Sequence, residues 1–280
     1  MKTTSKSIVY HQWNAGKWER IEAGVIAEKP VSLTVNGNVW LTFMCTPIHL
    51  EALAVGFLYN ENLIQSIEDV ASVRVCPSED NVDVWLNKTI EPPKNWRRTS
   101  GCTGGVTSVA EVNGKPELAN GQTLTPEKVT HLISTLFDSQ DLYRKVGGVH
   151  TTALVDGSEV VVIAEDIGRH NTLDKIAGRI LLEKIDLKQK ILITTGRISS
   201  EMMQKAFRIG APILITRTSP TARSIEMAQK WGITLIGYAR RDRFNVYSLP
   251  ERIVSSQGIT GGEAAAASEI YIKASSRKTS

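Results

Sequence analysis

The chain has 280 residues, of which 41% are hydrophobic, and its 33 basic and 29 acidic side chains give a formal net charge of +4. This length supports one large domain or two modest ones, and the mild, evenly spread charge does not indicate a protein that binds nucleic acid. No run of about 18 apolar residues is present and the first residues lack the apolar core of a secretory signal, so we expect a cytoplasmic protein without membrane contact.

The first half of the chain alternates predicted hairpins with one helix. Asn36-Gly37 separates two alternating apolar runs, which is typical of a type I′ hairpin. Residues 46–64 carry apolar side chains at helical spacing, with Thr46 as the expected cap. A second hairpin is predicted over 73–86, and the glycines and prolines of residues 87–105 predict a long loop.

The second half alternates strands with helices. A helix over 125–139 comes first, and a hairpin then leads into a helix over 171–184 with Asn171 as its expected cap. Strand, helix and strand then follow each other to the end of the patterned sequence. The sequence thus predicts an α/β fold with a layered, mostly parallel sheet in residues 125–280, preceded by a smaller α+β domain in residues 1–124.

Four arginines each follow one of the apolar runs in this second half. In a parallel sheet the carboxyl ends of the strands meet at one edge, and ligands bind in the crevice outside that edge. Guanidinium groups suit phosphate because they stay charged and present a planar fork of donors. Each arginine alone could simply solvate a loop or pair with a carboxylate, but the set predicts a site for an anionic ligand. The four residues are Arg169, Arg197, Arg217 and Arg240.

Cys102 lies in a glycine-rich stretch close in sequence to Arg97 and Arg98. Exposed backbone N–H groups and positive charge favour the thiolate, which is the nucleophilic form of cysteine, so Cys102 is the candidate nucleophile. The alternative is that it is only a small residue in a tight loop. Cys45 and Cys76 lie among strand residues and are interpreted as packing residues.

Polar residues are dense after the strand that ends near position 165. His170 could donate to phosphate, move a proton or hold the loop, and His150 has the same ambiguity. Glu165 and Asp166 could orient Arg169. The motifs Cys-x-x-Cys, Gly-x-Gly-x-x-Gly and the Walker loop are absent, so we predict neither a protein-ligated metal nor a classical nucleotide-binding fold.

Several long motifs in the second half resemble the formate dehydrogenase accessory sulfurtransferase family, FdhD. They read GGVHTTAL, AEDIGRHNTLDK, TTGRISSEMMQKA, GAPILITRTSPTARSIEMA and RFNVYS, and they lie within residues 147–248. The segment CTPIHLEALAVGFLYNENLI and the SGCTGG stretch extend the resemblance over most of the chain.

The resemblance implies a cytoplasmic sulfur carrier that acts as a homodimer. In this family a loop cysteine, matched here by Cys102, accepts sulfur from a cysteine desulfurase as a persulfide. It passes that sulfur to the molybdenum cofactor, bis-molybdopterin guanine dinucleotide, before the cofactor enters formate dehydrogenase. The cofactor is therefore expected as a bound substrate, and its pyrophosphates are the kind of ligand that the four arginines predict. The resemblance also implies an α/β domain like that of cytidine deaminase.

The segment that binds the cofactor in the family matches six consecutive residues near the carboxyl end. They are Phe244, Asn245, Val246, Tyr247, Ser248 and Leu249.

The loop departs from the family at one position. Many members have Cys-x-x-Cys there, whereas Gly105 stands at the second cysteine position in this chain. A mechanism with a single thiol is therefore predicted. Two alternatives remain at this point: a non-catalytic chaperone that binds the guanine nucleotide parts of the cofactor, and a nucleotide-modifying enzyme on a deaminase-like sheet.

Overall fold

Two larger sheets and the helices packed on them form the fold, which the computed structural model describes over residues 4–93, 97–98, 106–107, 122–186 and 189–254. Among these residues the strands are β1 (Ser5–Asn14), β2 (Lys17–Ile26), β3 (Lys29–Val35), β4 (Asn38–Cys45), β5 (Val70–Val75), β6 (Asn81–Leu86), β7 (Arg97–Arg98), β8 (Val106–Thr107), β9 (His150–Asp156), β10 (Glu159–Asp166), β11 (Lys190–Thr194), β12 (Ile213–Thr216), β13 (Thr234–Gly237) and β14 (Asn245–Val246). The helices are α1 (Leu50–Asn60), α2 (Pro126–Asp138), α3 (Asp141–Val146), α4 (Arg169–Leu182), α5 (Ser200–Ile209) and α6 (Ala222–Trp231).

The six-stranded sheet has the order β10-β9-β11-β12-β13-β14. Only the pairings β11-β12 and β12-β13 are parallel, and the other three are antiparallel. The sheet is therefore mixed, which corrects the prediction of a mostly parallel sheet. The physical reason is that the predicted β9-β10 hairpin inserts β9 next to β11. Strands β10, β11, β12 and β13 nevertheless all run in one direction.

Both faces of this sheet are covered. The alternation of side chains along β11 sends Ile191 and Ile193 toward α2, whereas Leu192 packs with residues of α4 and α5. Buried strands covered on both sides read as continuous apolar runs, which is why these strands were predictable from composition. The carboxyl ends of the strands lie outside the covered faces, so polar side chains can be placed there.

The four-stranded sheet of the N-terminal half has the order β4-β3-β6-β5 and packs on α1. The predicted hairpins correspond to β3-β4 and β5-β6, and Asn36 and Gly37 take the positive φ values of 48° and 80° that a type I′ turn requires. Its parallel pairing of β3 with β6 brings the two hairpins together.

Helix α1 crosses α4 at two glycines. A Cβ atom built on Gly56 would lie 1.8 Å from the Asp174 carbonyl oxygen, and one on Gly178 would lie 1.9 Å from that of Ala52. The two backbones are thus in direct contact, and only glycine fits at either position. This contact fixes the N-terminal sheet and its helix against the helix that follows β10. The division of the chain at residue 124 stays a prediction.

Two helix starts differ from those predicted. Helix α1 begins at Leu50, and Thr46 does not cap it, because the Thr46 hydroxyl accepts a hydrogen bond from the Ile167 N–H at 3.2 Å. Helix α4 begins at Arg169, so Asn171 lies within its first turn, where its side-chain amide donates to Asp166 at 2.9 Å. In both cases the side chain that the sequence predicts as a helix cap makes a hydrogen bond to another residue instead.

A long hairpin of β1 and β2 precedes the two sheets, and no sequence pattern had indicated it. All ten residues of β1 pair with β2, and the rings of Trp13 and Trp18 lie 5.3 Å apart across the strands. Ala15 and Gly16 form the turn with positive φ values. Val9, Trp13 and Trp18 all remain exposed on it.

Candidate functional site

The four predicted arginines lie at one edge of the six-stranded sheet. Because β10, β11, β12 and β13 run in one direction, their carboxyl ends lie side by side. Arg169 opens α4 after β10, Arg197 and Arg217 follow β11 and β12, and Arg240 follows β13. We call this edge, with the four arginines, the strand-end edge.

Direct contacts confirm that these loops are neighbours. An Arg240 guanidinium nitrogen donates to the Arg217 carbonyl oxygen. A Cβ atom built on Gly196 would lie only 2.9 Å from Cβ of Arg169, so the Arg169 side chain packs on the loop that carries Arg197. Arg197 and Arg217 are exposed, and Arg169 is only 6% exposed. The edge therefore presents guanidinium groups at different depths.

Threonine hydroxyls, which the sequence analysis missed, shape the two central loops. Thr194 and Thr216 are paired neighbours at the ends of β11 and β12. The Thr194 hydroxyl accepts from the Gly196 N–H, and that of Thr216 accepts from the Thr218 N–H, both at 3.1 Å. The Thr216 hydroxyl also donates to the Gly196 carbonyl oxygen at 2.7 Å. A threonine at the last strand position, two residues before a turn N–H, is the local signal that predicts such a turn.

Asp166 anchors the connection from β10 to α4. Its carboxylate lies 2.6 Å from the Lys175 ammonium and accepts N–H groups of Gly168 at 2.8 Å and Thr46 at 3.1 Å. Both side chains of the ion pair are fully buried. Asp166 therefore positions the backbone from which Arg169 and α4 begin.

Glu165 has a different partner. Its carboxylate oxygens accept from the backbone N–H groups of Leu142 at 2.7 Å and Tyr143 at 3.0 Å, in the first turn of α3. The carboxylate thus supplies negative charge to the amino end of that helix. Its position is structural, and the sequence offered no sign of α3.

Two imidazoles lie beside the arginines. His170 is only 5% exposed, and burial together with the charges of Lys205 and Arg169 lowers its pKa to about 3. Burial and then the Arg169 charge also lower the pKa of His150, whose Nδ1 atom is 3.4 Å from the Thr195 hydroxyl. Both imidazoles are consequently neutral at pH 7.

The predicted cofactor segment 244–249 runs alongside β13, from the carboxyl end of that strand to its amino end. Asn245 pairs with Gly237 at the carboxyl end of β13, close to the strand-end edge. At the other end the Leu249 carbonyl oxygen accepts from the Thr234 hydroxyl at 3.4 Å, where β13 begins. The buried Ser248 hydroxyl donates to the Ile233 carbonyl oxygen at 2.7 Å and fastens this edge strand. The structure thus places Phe244 and Asn245 closest to the arginines, and the binding role of the segment stays a prediction.

Cys102 lies outside the described residues, between β7 and β8, which pair antiparallel through Arg97 with Thr107 and Arg98 with Val106. Of the other cysteines, Cys45 is buried, and burial and the nearby Asp166 charge raise the pKa of its thiol to about 12. It is a poor nucleophile for that reason.

Cys76 differs from the packing residue that was predicted. It is partly exposed and lies in the turn before β6, where its thiol donates to Asp80 at 2.9 Å and its sulfur accepts from the Asn81 N–H at 3.2 Å. Its neighbours are thus polar turn residues rather than an apolar core.

Within the described part of the chain, no three His, Cys, Asp or Glu side chains are grouped so as to hold a metal ion. In the same part, every helix is too short or too polar to cross a bilayer.

Comparison with known proteins gives consistent matches. A family model described as the FdhD/NarQ family matches residues 26–254. A protein named sulfur carrier protein FdhD from Staphylococcus haemolyticus is 35% identical over 238 residues, which are 83% of this chain and 90% of the relative. One of the same name from Listeria monocytogenes is 34% identical over 258 residues, which cover 88% of this chain and 99% of the relative.

A crystal structure from Desulfotalea psychrophila, of a protein provisionally assigned as a formate dehydrogenase accessory protein, is also similar. It superposes with a TM-score of 0.75 at 29% sequence identity, over 90% of this chain and 100% of that one. The residues matched by the family model include Cys102 and all four arginines of the strand-end edge.

Proposed function

The chain belongs to the FdhD/NarQ family, and from this premise we propose that it is a sulfur carrier that serves a formate dehydrogenase. The observation that carries the site is the convergence of Arg169, Arg197, Arg217 and Arg240 at one edge of the sheet. Four guanidinium groups with neutral imidazoles beside them suit a substrate that bears several phosphates. The molybdenum cofactor in its bis-guanine-dinucleotide form is the substrate that fits this charge.

Cys102 is proposed as the residue that carries the sulfur. Its thiolate attacks the outer sulfur of a persulfide on a cysteine desulfurase, a new sulfur–sulfur bond forms, and the donor's own sulfur–sulfur bond breaks. The donor cysteine leaves as a thiolate, so no net oxidation occurs. The raised pKa of Cys45 makes that thiol a weaker candidate, and the Cys76 thiol is already engaged in a hydrogen bond to Asp80 at 2.9 Å.

In the second transfer the outer sulfur of the Cys102 persulfide bonds to the molybdenum of the cofactor bound at the strand-end edge, and the sulfur–sulfur bond of the persulfide breaks. The substrate's molybdenum, in its reduced state, gives up the two electrons that convert this sulfur into a sulfide, and Cys102 leaves as a thiolate. The arginines hold the phosphates of the substrate, and the segment 244–249 is proposed to contact it from the neighbouring edge strand. A homodimer and a cytoplasmic location are proposed on the family resemblance alone.

Mass spectrometry tests the carrier role. The full chain is incubated with a cysteine desulfurase and cysteine, and the peptide containing Cys102 should gain the mass of one sulfur atom. Cys102→Ala should abolish the label, whereas Cys45→Ala and Cys76→Ala should keep it. A label that appears only on Cys45 or Cys76 would reject the assignment.

A chaperone that binds the cofactor without carrying sulfur is the second candidate, because the arginine-lined edge would serve it equally well. Production of Cys102→Ala in a cell that lacks the native protein separates the two. A chaperone restores formate dehydrogenase activity without the thiol, whereas a sulfur carrier does not.

A further inference from the structure

The amino end of α4 differs from those of the other long helices near the sheet. Thr125, Ser199 and Thr221 cap α2, α5 and α6 by accepting backbone N–H groups of the first turn. Gly168 precedes α4 and has no side chain to do so, and the first turn of α4 contains no acidic residue. The residue at the N-cap position of α4 thus offers no side chain to accept a first-turn N–H group.

Helix α3, in contrast, has a carboxylate at its amino end. The Glu165 carboxylate accepts two N–H groups of the first turn of α3. The neighbouring carboxylate, Asp166, is engaged by the Lys175 ammonium at 2.6 Å and by the Gly168 N–H before α4. Asp166 also accepts the Asn171 side-chain amide in the first turn of α4 at 2.9 Å, so its charge is already shared among several groups.

His170 provides an independent observation at the same place. It is the second residue of α4, 95% of its surface is buried, and its Nε2 atom has no hydrogen-bond partner among the described residues. Side chains in a first helical turn point back toward the amino end of the helix. A buried polar atom without a hydrogen-bond partner is unfavourable, so a partner supplied by a ligand is favourable.

The charge around this atom favours an anion as that partner. Arg169 is adjacent in sequence, and the charges of Arg169 and Arg197 both lower the pKa of the nearby His150. A neutral imidazole can donate from Nε2 to an oxyanion when its single proton lies there. The amino end of a helix is itself a favourable place for an anion, because the backbone N–H groups and the positive end of the helix dipole point toward it.

We propose that the amino end of α4, with Nε2 of His170 and the charge of Arg169, forms a subsite for one phosphate group of the substrate. This inference rests on the proposed function and deepens it, since it assigns one phosphate to one helix end within the arginine-lined edge. Arg169 is held there by its packing on Gly196.

Calorimetry on the full chain tests the subsite with inorganic pyrophosphate, GDP and guanosine as ligands. His170→Leu should weaken the binding of pyrophosphate and GDP about tenfold, as expected for a lost hydrogen bond to a charged group. His170→Gln should keep most of the affinity, because its amide can donate from a similar position. His131→Gln, on the exposed face of α2, is the control and should bind as the unaltered chain does.

Guanosine carries no phosphate, so its binding distinguishes the loss of a phosphate contact from damage to the fold. If the subsite is correct, guanosine affinity is the same in His170→Leu and in the unaltered chain. Unchanged pyrophosphate affinity in that variant, or an equal loss for guanosine, would overturn the subsite.

A measurement on the unaltered chain covers the case in which His170→Leu does not fold. With ¹⁵N-labelled histidine, pyrophosphate should shift the Nε2 resonance of His170, identified by its absence in His170→Gln, and leave that of His131 in place. A His170 resonance that does not move would count against the subsite. Persulfide formation on Cys102 is measured separately, so the subsite can fail while the sulfur-carrier role stands.

Discussion

The guanidinium carbon of Arg217 lies 5.2 Å from the centre of the Phe137 ring. Arg217 follows β12, and Phe137 belongs to α2, which covers one face of the sheet. An exposed arginine is thereby held over an aromatic face, and its carbonyl oxygen is also bound by Arg240. The contact restricts the guanidinium to the strand-end edge before any ligand arrives.

Arg217→Ala should weaken the binding of GDP by about 1.5–3 kcal/mol, because a charged donor to phosphate is lost. Phe137→Leu keeps the apolar contact with the sheet but removes the ring, so a smaller loss of about 0.5–1 kcal/mol is expected. Calorimetric titration measures both, and Arg20→Ala on the exposed part of β2 is the control. Equal GDP affinity in Arg217→Ala and the unaltered chain would place Arg217 outside the site.

The crossing of α1 and α4 gives a prediction about stability. Gly56→Ala or Gly178→Ala would put a methyl group within 2 Å of a backbone carbonyl oxygen, so the two helices must move apart. We expect a loss of about 3 kcal/mol or more in the free energy of unfolding, at the upper end of overpacking. Urea unfolding followed by circular dichroism measures it.

Gly24→Ala is the matched control for these variants. A Cβ atom there would meet side chains and no backbone, namely Val146 at 3.1 Å and Ser5 at 3.6 Å, and the strand conformation accepts alanine. Its stability should stay within about 1 kcal/mol of that of the unaltered chain. A small effect for all three variants would mean that the helices cross less closely than described.

The convergence of the arginines was predictable because strand direction follows from the alternation of strands and helices. The position of β9 was not, since a hairpin signal does not say which neighbour its other edge will pair with. Thr46 illustrates a further limit: its sequence context fits a helix cap, but its hydroxyl instead accepts from Ile167, 121 residues away. Long-range contacts of this kind leave no local pattern.

The candidate site shows the same division. Its arginines could be found because each follows an apolar run. The low pKa of His170 could not, because it depends on burial and on charges from other elements. Asn171 has a side chain that commonly caps helices, but its amide donates to Asp166 instead, and the helix starts two residues earlier. The β1-β2 hairpin was missed because its two strands are exposed and lack the apolar alternation of a core strand.

A buried charge cluster joins α1, α4 and α5. The Lys205 ammonium is 2.6 Å from Asp174 and 3.6 Å from Glu61, and all three side chains are almost fully buried. Lys205→Met would leave two buried carboxylates without their cation, so a loss of about 3–5 kcal/mol in stability is expected.

Urea unfolding of Lys205→Met is to be compared with that of Glu183→Gln. Glu183 pairs with Arg179 at 2.6 Å, but its side chain is 46% exposed, so its removal should cost less than about 1 kcal/mol. If Lys205→Met were as stable as Glu183→Gln, the cluster would not contribute as a buried ion group.

The low pKa of His170 predicts how stability depends on pH. In the unfolded chain the imidazole takes up a proton below its ordinary pKa of 6.5, whereas in the folded chain it stays neutral down to about pH 3. Between these values the unfolded chain binds more protons, so the free energy of unfolding falls as pH falls, by about 1.4 kcal/mol per pH unit from this group. Above pH 6.5 the group has no such effect.

His170→Gln removes this dependence, so its stability relative to the unaltered chain should rise as pH is lowered from 6.5 to 4.5. Urea unfolding at pH 7.5, 6.5, 5.5 and 4.5 provides the comparison, and the carboxylates that titrate near the lower limit are common to both proteins. His131→Gln, changed on an exposed helix face, should leave the pH profile as it is. Parallel profiles for His170→Gln and the unaltered chain would contradict the low pKa of His170. They would show that its imidazole takes up a proton in the folded state despite its burial.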